Sequence, residues 1–138
     1  MVEVEFCVRK DGRVDAKLVG EWPIFNDALE DSISSVPPIG ADGSGASTYW
    51  IDVAHRGVQR AREQEREAPF TWGNYTELSL VGETVIARYD YADEEEPADE
   101  LAMIEFITVL EQWRERVVES ARAARSPLPM SGRRNPMA

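Results

Sequence analysis

The sequence predicts an α+β domain in which an antiparallel sheet of two β-hairpins packs against helices, the last of them long. Two stretches, at about residues 2–19 and 71–91, alternate apolar with polar residues on either side of a turn. This is the period of half-buried strands. A third stretch, at about 98–124, repeats apolar residues every three or four positions, as one face of a helix does. Hairpins combined with helices define the α+β class.

The first hairpin is predicted by alternation on both sides of a turn dipeptide. The alternating apolar residues are Val2, Val4, Phe6 and Val8, then Val14, Ala16 and Leu18. Asp11-Gly12 lies between them and suits a two-residue type I′ turn, because both positions of that turn need positive φ. Cys7 lies within the first strand, where we expect a small buried hydrophobic residue.

Two helices are predicted between the hairpins. Pro23 suits the first turn of a short helix that ends before Pro37-Pro38. The segment 36–47 is rich in Gly, Pro and Ser and is predicted to be a loop. The segment 48–67 fits two patterns: one helix from about Ser47 to Glu67 with a Ser or Thr N-cap, or a strand followed by a short helix. We favour the single helix, because its second half is strongly helix-forming.

The second hairpin and the closing helix complete the fold. The hairpin at about 71–91 turns at Gly82-Glu83. The helix is predicted from about Ala98 to Ala124, with Asp99 and Glu100 complementing the dipole at its start. Its buried face is predicted to carry Met103, Phe106, Leu110, Trp113 and Val117, reinforced by Ile104 and Ile107.

Length and composition predict one acidic domain, residues 1–124, followed by a disordered basic tail, residues 125–138. The chain has 138 residues, of which 43% are hydrophobic and 30% charged, values typical of a globular domain. Its one cysteine excludes an intrachain disulfide and favours a reducing compartment. We find no signal peptide and no run of about 18 apolar residues, so a cytoplasmic location is expected.

Charge is concentrated in the connection that follows the second hairpin. The net charge is −11, and the segment from Asp90 to Glu100 holds seven carboxylates in eleven positions. Such a negative field repels nucleic acid and anionic membranes and attracts a basic protein. A solvated acidic loop is the alternative. The predicted partner-binding residues are Asp90, Asp93, Glu94, Glu95 and Glu96, with Trp72 and Tyr75 or Tyr91 as aromatic anchors.

The motif Trp72-Gly73-Asn74-Tyr75 has a second interpretation. Gly73-Asn74 could form a bulge or bend at the entrance of the hairpin, with Trp72 packed on the core. This structural interpretation is favoured over the interface interpretation on sequence grounds. The oligomeric state is left open.

No catalytic, metal or cofactor motif is present, so we expect a protein that is not an enzyme and uses no cofactor. His55 is the only histidine, and Cys7 is its one candidate nucleophilic partner. One His and one Cys do not make a usual zinc site. The acidic run lacks the spacing of an EF-hand loop, and the glycines of residues 40–45 match no phosphate-binding motif.

From about residue 70 to residue 116 the chain resembles the small immunity proteins of bacterial polymorphic toxin systems. The resemblance lies in WGNYTELSL, then VIARYDYADEEEP, then a closing amphipathic helix with FITVLEQW. It implies a cytoplasmic protein that binds and blocks one cognate toxin domain, often a nuclease with a basic active site.

Three functions are therefore weighed. The first is a non-enzymatic acidic binding protein that neutralises a basic partner, as an immunity protein does. The second is a structural or regulatory component of phage or secretion machinery, whose acidity gives solubility. The third is a small enzyme whose pocket is not visible in the sequence.

Overall fold

The computed structural model describes residues 1–38, 45–64, 67–90 and 96–125, and it confirms the α+β class. Within these residues, strands β1 (Val4–Val8) and β2 (Val14–Leu18) form a two-stranded antiparallel sheet. Strands β3 (Ala68–Trp72), β4 (Thr76–Val81), β5 (Thr84–Tyr89) and β6 (Asp99–Ala102) form a four-stranded antiparallel sheet in sequential order. The helices are α1 (Pro23–Ala28), continued by a π-helical turn (Leu29–Ile33), α2 (Tyr49–Ala61) and α3 (Met103–Arg125). The two predicted hairpins exist, but they lie in separate sheets.

The first hairpin has a different turn from the one predicted. The amide of Arg9 donates to the carbonyl of Arg13 at 2.7 Å, and the amide of Gly12 donates to the carbonyl of Arg9 at 2.9 Å. Gly12 has a φ of 92°, whereas Asp11 does not have positive φ. The connection is therefore a three-residue loop in which only Gly12 needs the left-handed conformation. Cys7 is exposed rather than buried, since its side chain points to the outer face of β1.

The second sheet contains two strands that the sequence did not predict. The β4–β5 turn at Gly82-Glu83 is confirmed, with Gly82 at a φ of 62°. On one side of this hairpin, β3 pairs with β4; on the other, β6 pairs with β5. The strand β6 occupies positions assigned to the start of the last helix, which begins instead at Met103.

Asp99 shows why the predicted start of the last helix was wrong. Its side chain accepts hydrogen bonds from the amides of Ile24 (2.8 Å) and Phe25 (2.9 Å). The carboxylate therefore satisfies the first turn of α1, where the N-cap residue Trp22 provides no side-chain hydrogen bond. The charge complements a helix dipole, as expected, but the dipole belongs to a helix distant in sequence.

Helix α2 confirms the helical interpretation of the ambiguous segment. The hydroxyl of Ser47 accepts a hydrogen bond from the amide of Tyr49 at 3.1 Å, and Thr48 Oγ1 donates to Asp52 at 2.9 Å. The helix ends at Ala61 rather than Glu67, and residues 65–66 lie outside the described part. Its buried face carries Ile51, Ala54, Val58 and Ala61.

One hydrophobic core joins both sheets to the helices. Phe106, Leu110 and Trp113 of α3 are at most 1% exposed, which confirms their predicted burial. The indole of Trp113 also donates to the carbonyl of Val14 at 2.7 Å, fixing the first hairpin on α3. Ile104, by contrast, is 73% exposed, so its predicted contribution to the buried face is wrong. Most of the predicted loop (residues 39–44) and of the predicted tail (126–138) lies outside the described residues.

Candidate partner-binding surface

The turn between β3 and β4 is built around the carboxylate of Asp31, which lies in the π-helical turn. Asp31 accepts hydrogen bonds from the amides of Asn74 (2.9 Å), Tyr75 (3.0 Å) and Thr76 (2.9 Å). It also accepts one from the hydroxyl of Thr76 at 2.7 Å. Four donors converging on one carboxylate hold the turn rigidly against the helix.

These hydrogen bonds also set the ionisation of Asp31. Partial burial of the carboxylate alone would raise its pKa, but the hydrogen bonds from Tyr75, Thr76 and Asn74 favour the charged form. The net effect is a pKa below the ordinary value of 3.8. Asp31 is therefore an ionised structural residue at neutral pH.

Gly73 is required by the closeness of the turn to Asp31. A Cβ atom built on Gly73 would lie 2.1 Å from Asp31 Oδ2 and 2.6 Å from the carbonyl oxygen of Asp31. Any larger residue would therefore force the turn and the helix apart. The predicted bend at Gly73-Asn74 is confirmed, and its cause is this contact across the fold.

Trp72 precedes this turn and points to solvent. It is 61% exposed, so the interpretation that packs it on the core is wrong. Trp72 lines a groove of about 460 Å³ together with Trp50 of α2. The other lining residues are Asp31, Ser32, Ile33, Ser34, Val36, Pro37, Thr71, Gly73 and Asn74.

Exposed aromatic residues also neighbour the groove-lining residues Trp50 and Asn74 in sequence. Trp50 is 36% exposed and contacts Tyr49 edge-to-face, with ring centroids 4.8 Å apart. Tyr75, in the turn, is 42% exposed. We call Tyr49, Trp50, Trp72 and Tyr75 the aromatic surface. Tyrosine and tryptophan exposed together on ordered backbone are typical anchors of protein interfaces.

Carboxylates surround the Tyr75 end of the aromatic surface. Tyr75 stacks on Tyr89, with centroids 6.3 Å apart, and Tyr89 donates its hydroxyl to Asp27 at 2.5 Å. The pKa of Tyr75 is raised, first by burial of its hydroxyl and then by the negative charges of Asp27, Asp31 and Glu30. A cation placed beside Tyr75 would therefore meet both a ring and negative potential.

The described residues of the acidic run that follow β5 and precede β6 lie at this same end of the sheet. The amide of Asp90 donates to the carbonyl of Tyr75 at 2.9 Å, and Asp90 is exposed. Strand β6 starts with Asp99 opposite Ala87. The exposed Glu96, just before β6, therefore lies near the end of β5. Tyr91, Asp93, Glu94 and Glu95 lie outside the described residues. Of the predicted partner-binding residues, Tyr75 and Asp90 are thus in contact, and Trp72 lies at the same end of the sheet, before the same turn.

Sequence reasoning missed Trp50, Tyr49 and Asp31. Tyr49 and Trp50 could have been predicted to be exposed, because helical spacing places both residues outside the buried face of α2. No sequence pattern indicated the role of Asp31, since its hydrogen-bond partners are 43 to 45 positions away.

The other candidate sites form no cluster in the described part of the chain. Cys7 lies opposite Asp15 on the first hairpin, whereas His55 lies in α2, with Gln59 Nε2 3.5 Å from its ring. Among described residues, no group of three His, Cys, Asp or Glu side chains could hold a metal ion. No helix within the described ranges is long and apolar enough to span a bilayer.

Comparison with known proteins adds no relative. No protein-family model matches the chain, and neither the curated proteins nor the solved structures contain a significant match to it.

Proposed function

We propose that this chain is a non-enzymatic binding protein that neutralises a basic partner protein, in the manner of the immunity proteins that part of its sequence resembles. The observation that carries the proposal is the exposure of Trp72 and Tyr75 at a turn fixed by Asp31, with carboxylates around Tyr75. Binding through this surface would cover the toxin's active site or hold the toxin inactive.

The energetic argument concerns the apolar area of the aromatic surface. Large aromatic side chains left in water lose the free energy that burial would provide. Because Asp31 fixes the turn before a partner arrives, little ordering entropy opposes their burial in an interface. The aromatic surface therefore supports affinity for a partner.

The electrostatic argument concerns the kind of partner. A guanidinium or ammonium group stacked on Trp72 or Tyr75 would gain a cation–π contact, and at Tyr75 also the attraction of Asp27, Glu30 and Asp31. The net charge of −11 extends this attraction over the molecule and accelerates encounter with a basic protein. A basic toxin domain satisfies both conditions.

The test uses the proteins encoded by the genes that flank this one. Each is purified and its affinity for the chain is measured, with Trp72→Ala and Ile104→Ala as paired variants. Both positions carry exposed apolar side chains, but Ile104 lies on α3 beside the opposite end of the four-stranded sheet. We expect one basic flanking protein to bind, and Trp72→Ala to weaken that binding by about 30-fold or more.

Two outcomes contradict the proposal. One is that no flanking protein binds at low salt. The other is that Trp72→Ala and Ile104→Ala both bind like the unchanged chain, which would place the interface elsewhere.

A further inference from the structure

We infer that the free edge of β1 is a second binding site, which takes an extended basic segment of another protein as an added antiparallel or parallel strand. This inference goes beyond the proposed function, because β1 belongs to the two-stranded sheet and carries none of the aromatic surface. It rests on the hydrogen-bond pattern of the first hairpin.

The pattern fixes which backbone groups of the hairpin point outward. Arg9 pairs with Arg13, and the amide of Val19 donates to the carbonyl of Glu3 at 2.9 Å. Hydrogen-bonded and non-hydrogen-bonded pairs alternate along an antiparallel ladder. The even-numbered residues of both strands therefore direct their N–H and C=O groups away from the partner strand.

On β2 the outward groups of Val14 and Leu18 are covered. The amide of Val14 donates to Ser35 Oγ at 2.9 Å, and its carbonyl accepts from Trp113. The side-chain amide of Asn26 both accepts from the amide of Leu18 (2.8 Å) and donates to its carbonyl (3.2 Å). Side chains of Ser35, Asn26 and Trp113 thus bind both ends of this edge.

On β1 the outward groups are uncovered. Within the described residues, the amides and carbonyls of Val4, Phe6 and Val8 have no hydrogen-bond partner, whereas the amide of Val2, just before the strand, donates to Glu105 of α3 at 2.6 Å. Val4 and Phe6 line a groove of about 590 Å³ between the strand and α3. The groove is lined by Val4, Glu5, Phe6, Gln112, Glu115 and Arg116. An edge strand beside an open groove is the geometry that β-strand addition uses.

Charge selects the occupant of this groove. Glu3 and Glu5 are exposed on the outer face of β1, and Glu115 lines the groove. The one cation lining the groove, Arg116, has its guanidinium 5.2 Å from the centroid of the Phe6 ring. An incoming strand with Lys or Arg at alternate positions would place them beside these carboxylates.

The same charges argue against a second copy of the chain. Pairing β1 with another β1 would bring Glu3 and Glu5 of both copies onto one face of a continuous sheet. Like charges on neighbouring strands destabilise such pairing. A basic segment of a different protein is therefore the occupant that the edge favours.

The experiment titrates the full chain with the peptide acetyl-Lys-Val-Lys-Val-Lys-Val-amide and follows backbone amide resonances by NMR. In one matched peptide, Glu replaces all three Lys residues. Two further peptides carry backbone N-methyl groups, one on its three Lys residues and the other on its three Val residues, so that each blocks one edge of the added strand. We expect shifts concentrated at Val4, Phe6 and Val8, with slower hydrogen exchange at these amides. Only one edge of the added strand pairs with β1. The peptide that is N-methylated along that edge should therefore bind roughly tenfold more weakly than the peptide that is N-methylated along the other edge.

Protein variants test the charge argument. Glu3→Gln combined with Glu5→Gln should weaken the Lys peptide several-fold, whereas Glu63→Gln, an exposed position just after α2, should not. Trp72→Ala should leave peptide binding unchanged, which separates this site from the proposed function. The inference is overturned if shifts lie away from β1 or if both N-methylated peptides bind equally. It is also overturned if the chain sediments as a dimer whose β1 amides are protected.

Discussion

At the scale of single residues, Asp31 organises the surface that carries the proposed function. Its carboxylate joins the π-helical turn to the β3–β4 turn through four hydrogen bonds. Ser32 continues the connection, since its hydroxyl lies 2.6 Å from Thr76 Oγ1 and its carbonyl accepts from Thr71 Oγ1 at 3.1 Å. Trp72 and Tyr75 are therefore exposed but held in place.

Asp31→Asn should lower the free energy of unfolding at neutral pH by about 1–3 kcal/mol, because charge-assisted hydrogen bonds are lost. The pKa of Asp31 is lowered in the folded chain, so its stabilisation is fully present above the ordinary value of 3.8. It is lost as the pH falls through the lower, folded pKa. Urea melts at neutral and acid pH measure this, with Glu30→Gln as the control. The account is contradicted if Asp31→Asn lowers the free energy of unfolding by as much at acid pH as at neutral pH.

Gly73→Ala should destabilise the fold through the contact with Asp31, by about 1–3 kcal/mol as for overpacking in a tight site. Asn74→Ala is the matched control, because residue 74 is exposed and only its backbone amide contacts Asp31. Thermal or urea melts compare the two variants. Equal stability of both would show that the turn moves freely away from the helix.

At the scale of elements, α3 is the strongest contributor to the core. Its buried face contacts both sheets, and Phe106 packs against Phe25 and Phe70 at centroid distances of 6.0 and 5.7 Å. The face was predictable because its spacing extends over several turns. Helical periodicity does not, however, define where a helix begins.

Leu110→Ala should cost about 2–5 kcal/mol, since the side chain is 1% exposed and its removal leaves a cavity. Ile104→Ala, on the same helix but 73% exposed, should change stability by no more than about 0.5 kcal/mol. Denaturant melts of the two variants give the comparison. A loss below about 1 kcal/mol for Leu110→Ala would mean that the core repacks.

Strands β3 and β6 show what sequence pattern could not predict. Pro69 and the helix-forming residues before it argue against a strand, and β6 carries Asp99 and Glu100, which strands disfavour. Both strands exist because the β4–β5 hairpin offers them an edge, a tertiary effect that local propensity does not contain. The same limit applies to the candidate site: the sequence indicates Trp72 and Tyr75 as candidates, whereas the hydrogen bonds from their turn to Asp31 are visible only in the fold.

At the scale of the whole molecule, charge and exposed aromatic area meet at one end of the four-stranded sheet. Asp90 and Glu96 of the acidic run lie at that end, while Glu3 and Glu5 of the first hairpin form a separate acidic surface. Both surfaces would be approached by positive charge. In the proposed complex, the net charge would govern the rate of encounter, and the aromatic surface would govern the lifetime of the complex.

The association rate of the basic partner is the most direct test of the proposed function. It is measured at low and high salt for the unchanged chain and for a variant with Asp93→Asn, Glu94→Gln, Glu95→Gln and Glu96→Gln. We expect the variant to keep its unfolding free energy, associate more slowly and lose much of its salt dependence, because exposed charges are screened beyond about 8 Å at physiological ionic strength. An unchanged rate with unchanged salt dependence would contradict the claim that the acidic run attracts the partner.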